Sequence, residues 1–230
     1  MKKLLFLLLA APIFTFGQVI GNGDGITTDV QVGIVFFELD IEGSPYMNPT
    51  YKLGETFING KSGSKALMRY NAYNASIELL DENNTPRKLL RRRSIEAIFD
   101  GKTYKIFEYA EAGKIRESYF NPLNKGKIKL LLKPKKSFVQ AEQPEDGYDK
   151  FDPPIYKNIS SYYVIDGDSP ATKTRLGKKQ ILKHLPRHNA QIKKFIASEK
   201  LNLKTESDII KLFDYYNSLL PPSIEKGAQS

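Results

Sequence analysis

Between residues 55 and 176 the sequence is cut into short apolar runs, each closed by turn-forming residues. Runs near 55–59, 65–71, 76–80, 95–99, 103–109, 117–120, 127–132 and 137–140 follow one another at the spacing of an antiparallel meander. Gly60 to Ser64 and Asp100-Gly101 offer the clearest hairpin turns, because residues that tolerate positive φ match the twist of paired strands. Tyr162 to Ile165 and Ala171 to Leu176 make a last hairpin around Asp166-Gly167, after a long Pro-containing loop over 141–157. Upstream, Val30 to Ile41 reads as a further strand whose alternation shifts phase at Phe37, the mark of a bulge or an edge crossing.

From Gly177 the period changes. Ile192, Phe195 and Ile196 place an amphipathic helix near 188–199. Thr205 with Asp208 predicts a capping box for a second helix, whose apolar face holds Ile209, Ile210, Leu212, Phe213, Tyr216, Leu219 and Leu220. Pro221-Pro222 stops it. Strands first and helices last predict an α+β fold, a mainly antiparallel β meander (sandwich or curved half-barrel) with a C-terminal helical hairpin. The expected organisation is a signal peptide over 1–17, a flexible lead-in over 18–29 and a β domain over 30–176. A helical region packs on it over 177–222, and a disordered tail follows over 223–230.

The ends and the composition bound the compartment. Met1-Lys2-Lys3 is a positive n-region, Leu4 to Phe14 is apolar, and Thr15-Phe16-Gly17 ends in the small residue that signal peptidase requires. The run is too short for a bilayer-spanning helix, which takes about 20 apolar residues. The pattern predicts export with cleavage before Gln18, to the periplasm, the outer membrane or the outside. Cysteine is absent, so no disulfide or thiol chemistry is available and a packed core must supply the stability. The net charge of +9 suits an anionic partner and equally serves solubility.

Several chemistries are suggested and then fail on spacing. Asn22-Gly23-Asp24-Gly25 has the look of a calcium loop, yet the first and twelfth ligand positions fall on Ile20 and Gln31. Gly60-Lys61-Ser62 resembles the end of a phosphate loop, but Glu55 stands where the first glycine belongs. His184 and His188 are spaced like a zinc pair, with Pro186 breaking any helix between them and no third ligand nearby in sequence. No Gly-x-Ser-x-Gly elbow occurs, and Asp166 with Asp168 belongs to a turn. No catalytic, cofactor or metal residues are therefore assigned. The stretch "LMRYNAYNASIELL" (67–80) reads as a hairpin, with Met68 and Tyr70 on one face and the turn at Asn71 to Ala75. Its Asn74-Ala75-Ser76 sequon has no role in a bacterial export route.

One pattern points to a partner. In "KGKIKLLLKPKK" the residues Lys125, Lys127 and Lys129 alternate with Ile128, Leu130 and Leu132, so that lysines face water while the apolar side enters the core. Lys133, Lys135 and Lys136 extend the strand, and Arg91, Arg92 and Arg93 add a second basic cluster. These nine residues are the candidate surface for an anionic envelope component. The competing reading is an edge guarded by lysines.

The stretches "GSPYMNPTYKLGETFINGK", "LMRYNAYNASIEL" and "LGKKQILKHLPRHNAQIKKFIASEKLNLKTESDIIKLFDYYNSL" resemble a group of secreted proteins of the Bacteroidetes, flavobacteria among them. That group shares a Gly-x-Pro-Tyr…Arg-Tyr-Asn β-region and a helical tail, and the similarity spans residues 42–220. Met68 departs from the shared pattern, in which Leu stands directly before Arg. The resemblance implies an exported, bacterial chain and brings no activity with it. The expected function is that of a non-enzymatic envelope protein that binds another envelope component, a protein or an anionic lipid or polysaccharide. The alternatives are a carrier of an apolar ligand such as a lipid in a curved-sheet cavity and, third, a hydrolase built from carboxylates distant in sequence.

Overall fold

The computed structural model describes residues 40–141 and 152–221. The expected signal peptide and lead-in, the strand expected over 30–41 (save its last two residues), the calcium-like loop and the expected C-terminal tail lie outside them. So does most of the 141–157 loop.

The first eight strands are β1 (Lys52–Ile58), β2 (Lys61–Asn71), β3 (Ser76–Leu80), β4 (Pro86–Lys88), β5 (Ile95–Phe99), β6 (Lys102–Glu111), β7 (Lys114–Pro122) and β8 (Ile128–Lys133). They are followed by β9 (Lys136–Val139), β10 (Ile155–Asn158), β11 (Ser161–Asp166) and β12 (Thr172–Thr174). Ten of these form one antiparallel sheet in the order β12-β11-β8-β7-β6-β5-β1-β2-β3-β4, and β9 with β10 form a separate ribbon. The sheet stays open, and it curls. Ala110 N donates to Ala171 O and Ala171 N to Glu108 O, which brings the start of β12 against β6. Three helices complete the chain: α1 (Lys178–Leu182), α2 (Asn189–Ser198) and α3 (Glu206–Leu219).

Local chemistry accounts for most turns. Asn59-Gly60, Asp100-Gly101 and Ala112-Gly113 all have positive φ at both positions, the geometry that two-residue hairpins require. The first of these lies earlier than the turn expected over Gly60 to Ser64, since β2 already begins at Lys61. In the 71–75 turn the left-handed residue is Ala75 (φ 53°), while Asn71 Oδ1 accepts from Tyr73 N and Asn74 N. The capping box of α3 does not form. Thr205 Oγ1 donates to Asn202 O, and Asp208 Oδ2 instead accepts from Asn202 N at 2.8 Å. The loop expected over 141–157 gives way at its end to β10, which pairs with β9.

The two faces of the sheet bury different cores. On β6, Tyr104 and Ile106 point one way, into a cluster with Met68, Tyr70, Ile77, Phe99 and Tyr119. Tyr109 points the other way, inside the curl, with Phe120, Leu131, Tyr163, Ile165 and Ala171. The helices bury Ile181, Leu185, Ile192, Ile209, Leu212, Phe213 and Tyr216 against Ile128, Leu130 and Val164. Strand β8 is therefore covered on both sides. Its start is closed by two asparagines, since Asn124 Oδ1 accepts from Leu130 N and Asn217 Oδ1 accepts from Ile128 N. Gly126 beside them has φ 104°, and a Cβ there would stand 2.6 Å from the Asn217 side chain.

Residues 45–51 are latched across β2 and β3. The Arg69 guanidinium carbon lies 3.6 Å from the Tyr46 ring centroid and 4.3 Å from that of Tyr51. Its Nε and Nη2 donate to Glu78 Oε2 at 3.0 and 2.8 Å, and Nη2 donates to Tyr46 Oη at 2.7 Å. Both side chains are largely shielded, at 21% and 13% exposure, so the pair is stronger than a surface ion pair and removal of one partner strands the other. Arg69→Ala is expected to lower the unfolding free energy by about 1.5 kcal/mol, from the lost pair and the lost cation–π contacts. Urea unfolding checks it, and an unchanged midpoint would mean that the latch is ornamental.

Candidate functional site

The basic strand divides among several environments. Ile128 and Leu130 face the helices as the alternation predicts, but the opposite face of β8 is not left in water. Leu131 is fully buried inside the curl, and Lys133 follows it there at 6% exposure. The reason lies in the run Leu130-Leu131-Leu132: a strand apolar at consecutive positions is buried on both faces, so the lysine in phase with Leu131 goes inside.

Around Lys133 the register assembles a site. Tyr163 stands opposite Leu131, and Ser161 opposite Lys133 itself. The Lys133 Nζ lies 3.6 Å from the Tyr109 ring centroid and 5.9 Å from that of Tyr163. Tyr109, Tyr163 and Phe120 pack edge to face with centroids 5.2 to 5.6 Å apart, giving an aromatic floor. Arg116 is the cross-strand partner of Tyr109, and Lys173 that of Tyr163, so both leave their strands on this same face. Lys135 follows two residues on and is exposed. Glu111 is the nearby carboxylate, and it is already engaged: Arg116 Nη1 lies 3.6 Å from it, and Tyr109 Oη donates to it at 3.4 Å.

Among the described residues no oxygen accepts a hydrogen bond from Lys133 Nζ. The nitrogen is nonetheless not sealed, since among the described residues the fully buried side-chain polar atoms without a partner are Tyr119 Oη and Asn121 Oδ1. Burial pushes the Lys133 ammonium down to about 8 from its usual 10.5; Glu111 opposes this, while Lys135, Lys173 and Arg116 reinforce it. The displacement corresponds to about 3 kcal/mol of unfavourable charge burial. A cation–π contact returns about 1 kcal/mol of that. The balance favours an incoming anion, which would give the ammonium the oxygen partner it lacks.

The other candidate residues lie elsewhere. Arg91 donates to Glu117 O, and Arg93 is held by Glu108 and Glu117, a cross-strand pair adjacent in sequence to Tyr109 and Arg116. Neighbouring residues on a strand point to opposite faces, so the arginine cluster lies on the far side of the β6–β7 ribbon from Lys133. Arg92 is exposed. Lys125 is exposed, Lys127 Nζ lies 3.6 Å from Asp166, and Lys129 is half-buried opposite Ile165. Lys136 Nζ donates to Ser44 O at 2.6 Å, tying down the segment before β1, and its burial lowers its own pKa. Lys133 and Lys135 come together with Arg116 and Lys173, two residues that sequence reasoning did not single out. Their grouping depends on strand register, which leaves no local mark in the sequence.

Two further features bear on the alternatives. His188 caps α2 with φ 59° and its Nδ1 lies 3.1 Å from Gln191 Oε1, while burial first, then Lys183, lowers the pKa of His184. Among the described residues no group of three or more His, Cys, Asp or Glu is placed to hold a metal ion. An apolar groove of about 270 Å³ is lined by Leu53, Gly54, Glu55, Phe57, Lys65 and Ile98. It lies over β1, β2 and β5, where Leu53 is 70% exposed, apart from the cluster around Tyr109. No helix of the described residues is long and apolar enough to cross a membrane. In comparison with known proteins, no family model, no curated sequence and no solved structure matches this chain.

Proposed function

We propose that this chain is a non-enzymatic, exported binding protein that holds an anionic component of the bacterial envelope at the Lys133 site. The observation that carries the reading is a buried ammonium with no oxygen partner among the described residues and with Arg116, Lys135 and Lys173 close enough to act on its charge. Four cations near one engaged carboxylate leave an excess of positive charge, which a carboxylate or phosphate would offset. The aromatic floor fixes the ammonium sideways and leaves its other donors for the ligand. The envelope assignment rests on the N-terminal pattern; recovery of the chain from an envelope fraction with Gln18 as first residue would support it.

The test is co-sedimentation with anionic and neutral vesicles, and separately with an acidic polysaccharide, at low and high salt. The expected result is binding to one anionic partner that weakens as the Debye length falls. Lys173→Glu should reduce that binding at least tenfold, whereas Arg92→Glu, on a separate part of the surface, should change it little. Equal sedimentation of the wild type and Lys173→Glu under every condition would sink the proposal.

A further inference from the structure

We propose that the Lys133 amine captures a carbonyl compound that also carries a carboxylate, joining it as an imine. This rests on the anion-binding reading above and names the ligand class more narrowly.

A lysine becomes a carbonyl nucleophile when its surroundings disfavour the ammonium and neighbouring cations deepen that effect. Both conditions hold here. Lys133 is buried against Tyr109 and Tyr163, has no carboxylate at hydrogen-bond distance among the described residues, and stands among Arg116, Lys135 and Lys173. Its lowering to about 8 leaves an appreciable neutral fraction at neutral pH. The exposed lysines on the same segment, Lys125 and Lys127, are the natural internal comparison, since each is exposed and Lys127 lies near Asp166. The same cations that depress the amine attract a carboxylate. They would hold an oxo acid with its carbonyl carbon beside Nζ, so that binding and reactivity favour one molecule.

The step balances without a further reagent. The neutral amine's lone pair forms the N–C bond as the carbonyl π pair moves to oxygen. A proton passes from nitrogen to that oxygen through solvent, giving a carbinolamine. Loss of water then leaves the C=N bond, and addition of water reverses the capture.

The experiment uses the full mature chain with pyruvate and cyanoborohydride, which reduces any imine to a stable secondary amine that peptide mass spectrometry locates. Lys133 is expected to be modified at least tenfold faster than Lys125 or Lys127. Lactate, which has the carboxylate but no carbonyl, should slow that modification by competition. Lys173→Ala should slow it as well, while keeping the amine. Lys133→Met keeps the volume and should lose the fast modification alone. If lactate binds, as followed by calorimetry, but pyruvate modifies Lys133 no faster than Lys125, the imine proposal is overturned and the anion site stands. If neither compound binds or reacts preferentially at Lys133, both readings fail.

Discussion

Phe213→Ala is expected to lower the unfolding free energy by about 3 to 5 kcal/mol, the range for emptying a large buried aromatic site. Phe213 is fully buried in the cluster that joins α3 to Ile128 and Leu130 of β8 and Val164 of β11. The lost transfer energy is only part of the cost. The surrounding side chains come from the sheet as well as the helices, so the site cannot collapse by moving one element. Denaturant unfolding followed by circular dichroism measures the change, which should appear as a lower midpoint with an unaltered slope. A shift below about 0.5 kcal/mol would mean that the helices do not share the stability of the sheet.

Lys133→Met should do the opposite and stabilise the chain at pH 7, by about 2 kcal/mol. The buried ammonium costs about 3 kcal/mol, and loss of its contact with Tyr109 gives back about 1. The sign with pH follows from linkage. Below about pH 8 the lysine is charged in both the folded and the unfolded chain, so the full cost is present. Between about 8 and 10.5 the folded amine is neutral while the unfolded one still binds its proton, so wild-type stability rises with pH relative to the variant. The advantage of Lys133→Met should therefore shrink across that window and be gone at its upper end. Paired urea titrations at pH 7 and pH 9.5 test it, and a variant less stable than wild type at pH 7 would refute the buried-charge account. A residue that costs stability where it stands is the usual signature of a functional position.

What the sequence made legible was local. The Asp100-Gly101 hairpin, β3 and β5 fall where turn chemistry and alternation place them, because each is decided by a few neighbouring residues. The apolar spacing of α3 likewise anticipated the burial of Ile209, Leu212, Phe213 and Tyr216. Elements defined by distant partners were not legible. Strand β4 is three exposed residues, Pro86-Arg87-Lys88, held by β3, β10 exists through pairing with β9, and α1 is a single short turn anchored by Ile181 in the helical core. The lysine strand shows the limit most clearly. Its alternation was read correctly for Ile128 and Leu130, but the partial burial of Lys129 and the full burial of Leu131 and Lys133 depend on β6, β11 and β12 curling over the second face.

The clamp at the start of β8 has a consequence for the order in which the chain can mature. Asn217 Oδ1 accepts the hydrogen bond that Ile128 N would otherwise donate to a neighbouring strand, across a separation of 89 residues. Every strand of the described residues precedes it in the chain, so the turn carrying Gly126 is sealed by a helix that follows the whole sheet in sequence. Among the described residues the seal on the turn before β8 thus comes from a residue that follows every strand, so strand pairing alone does not complete it.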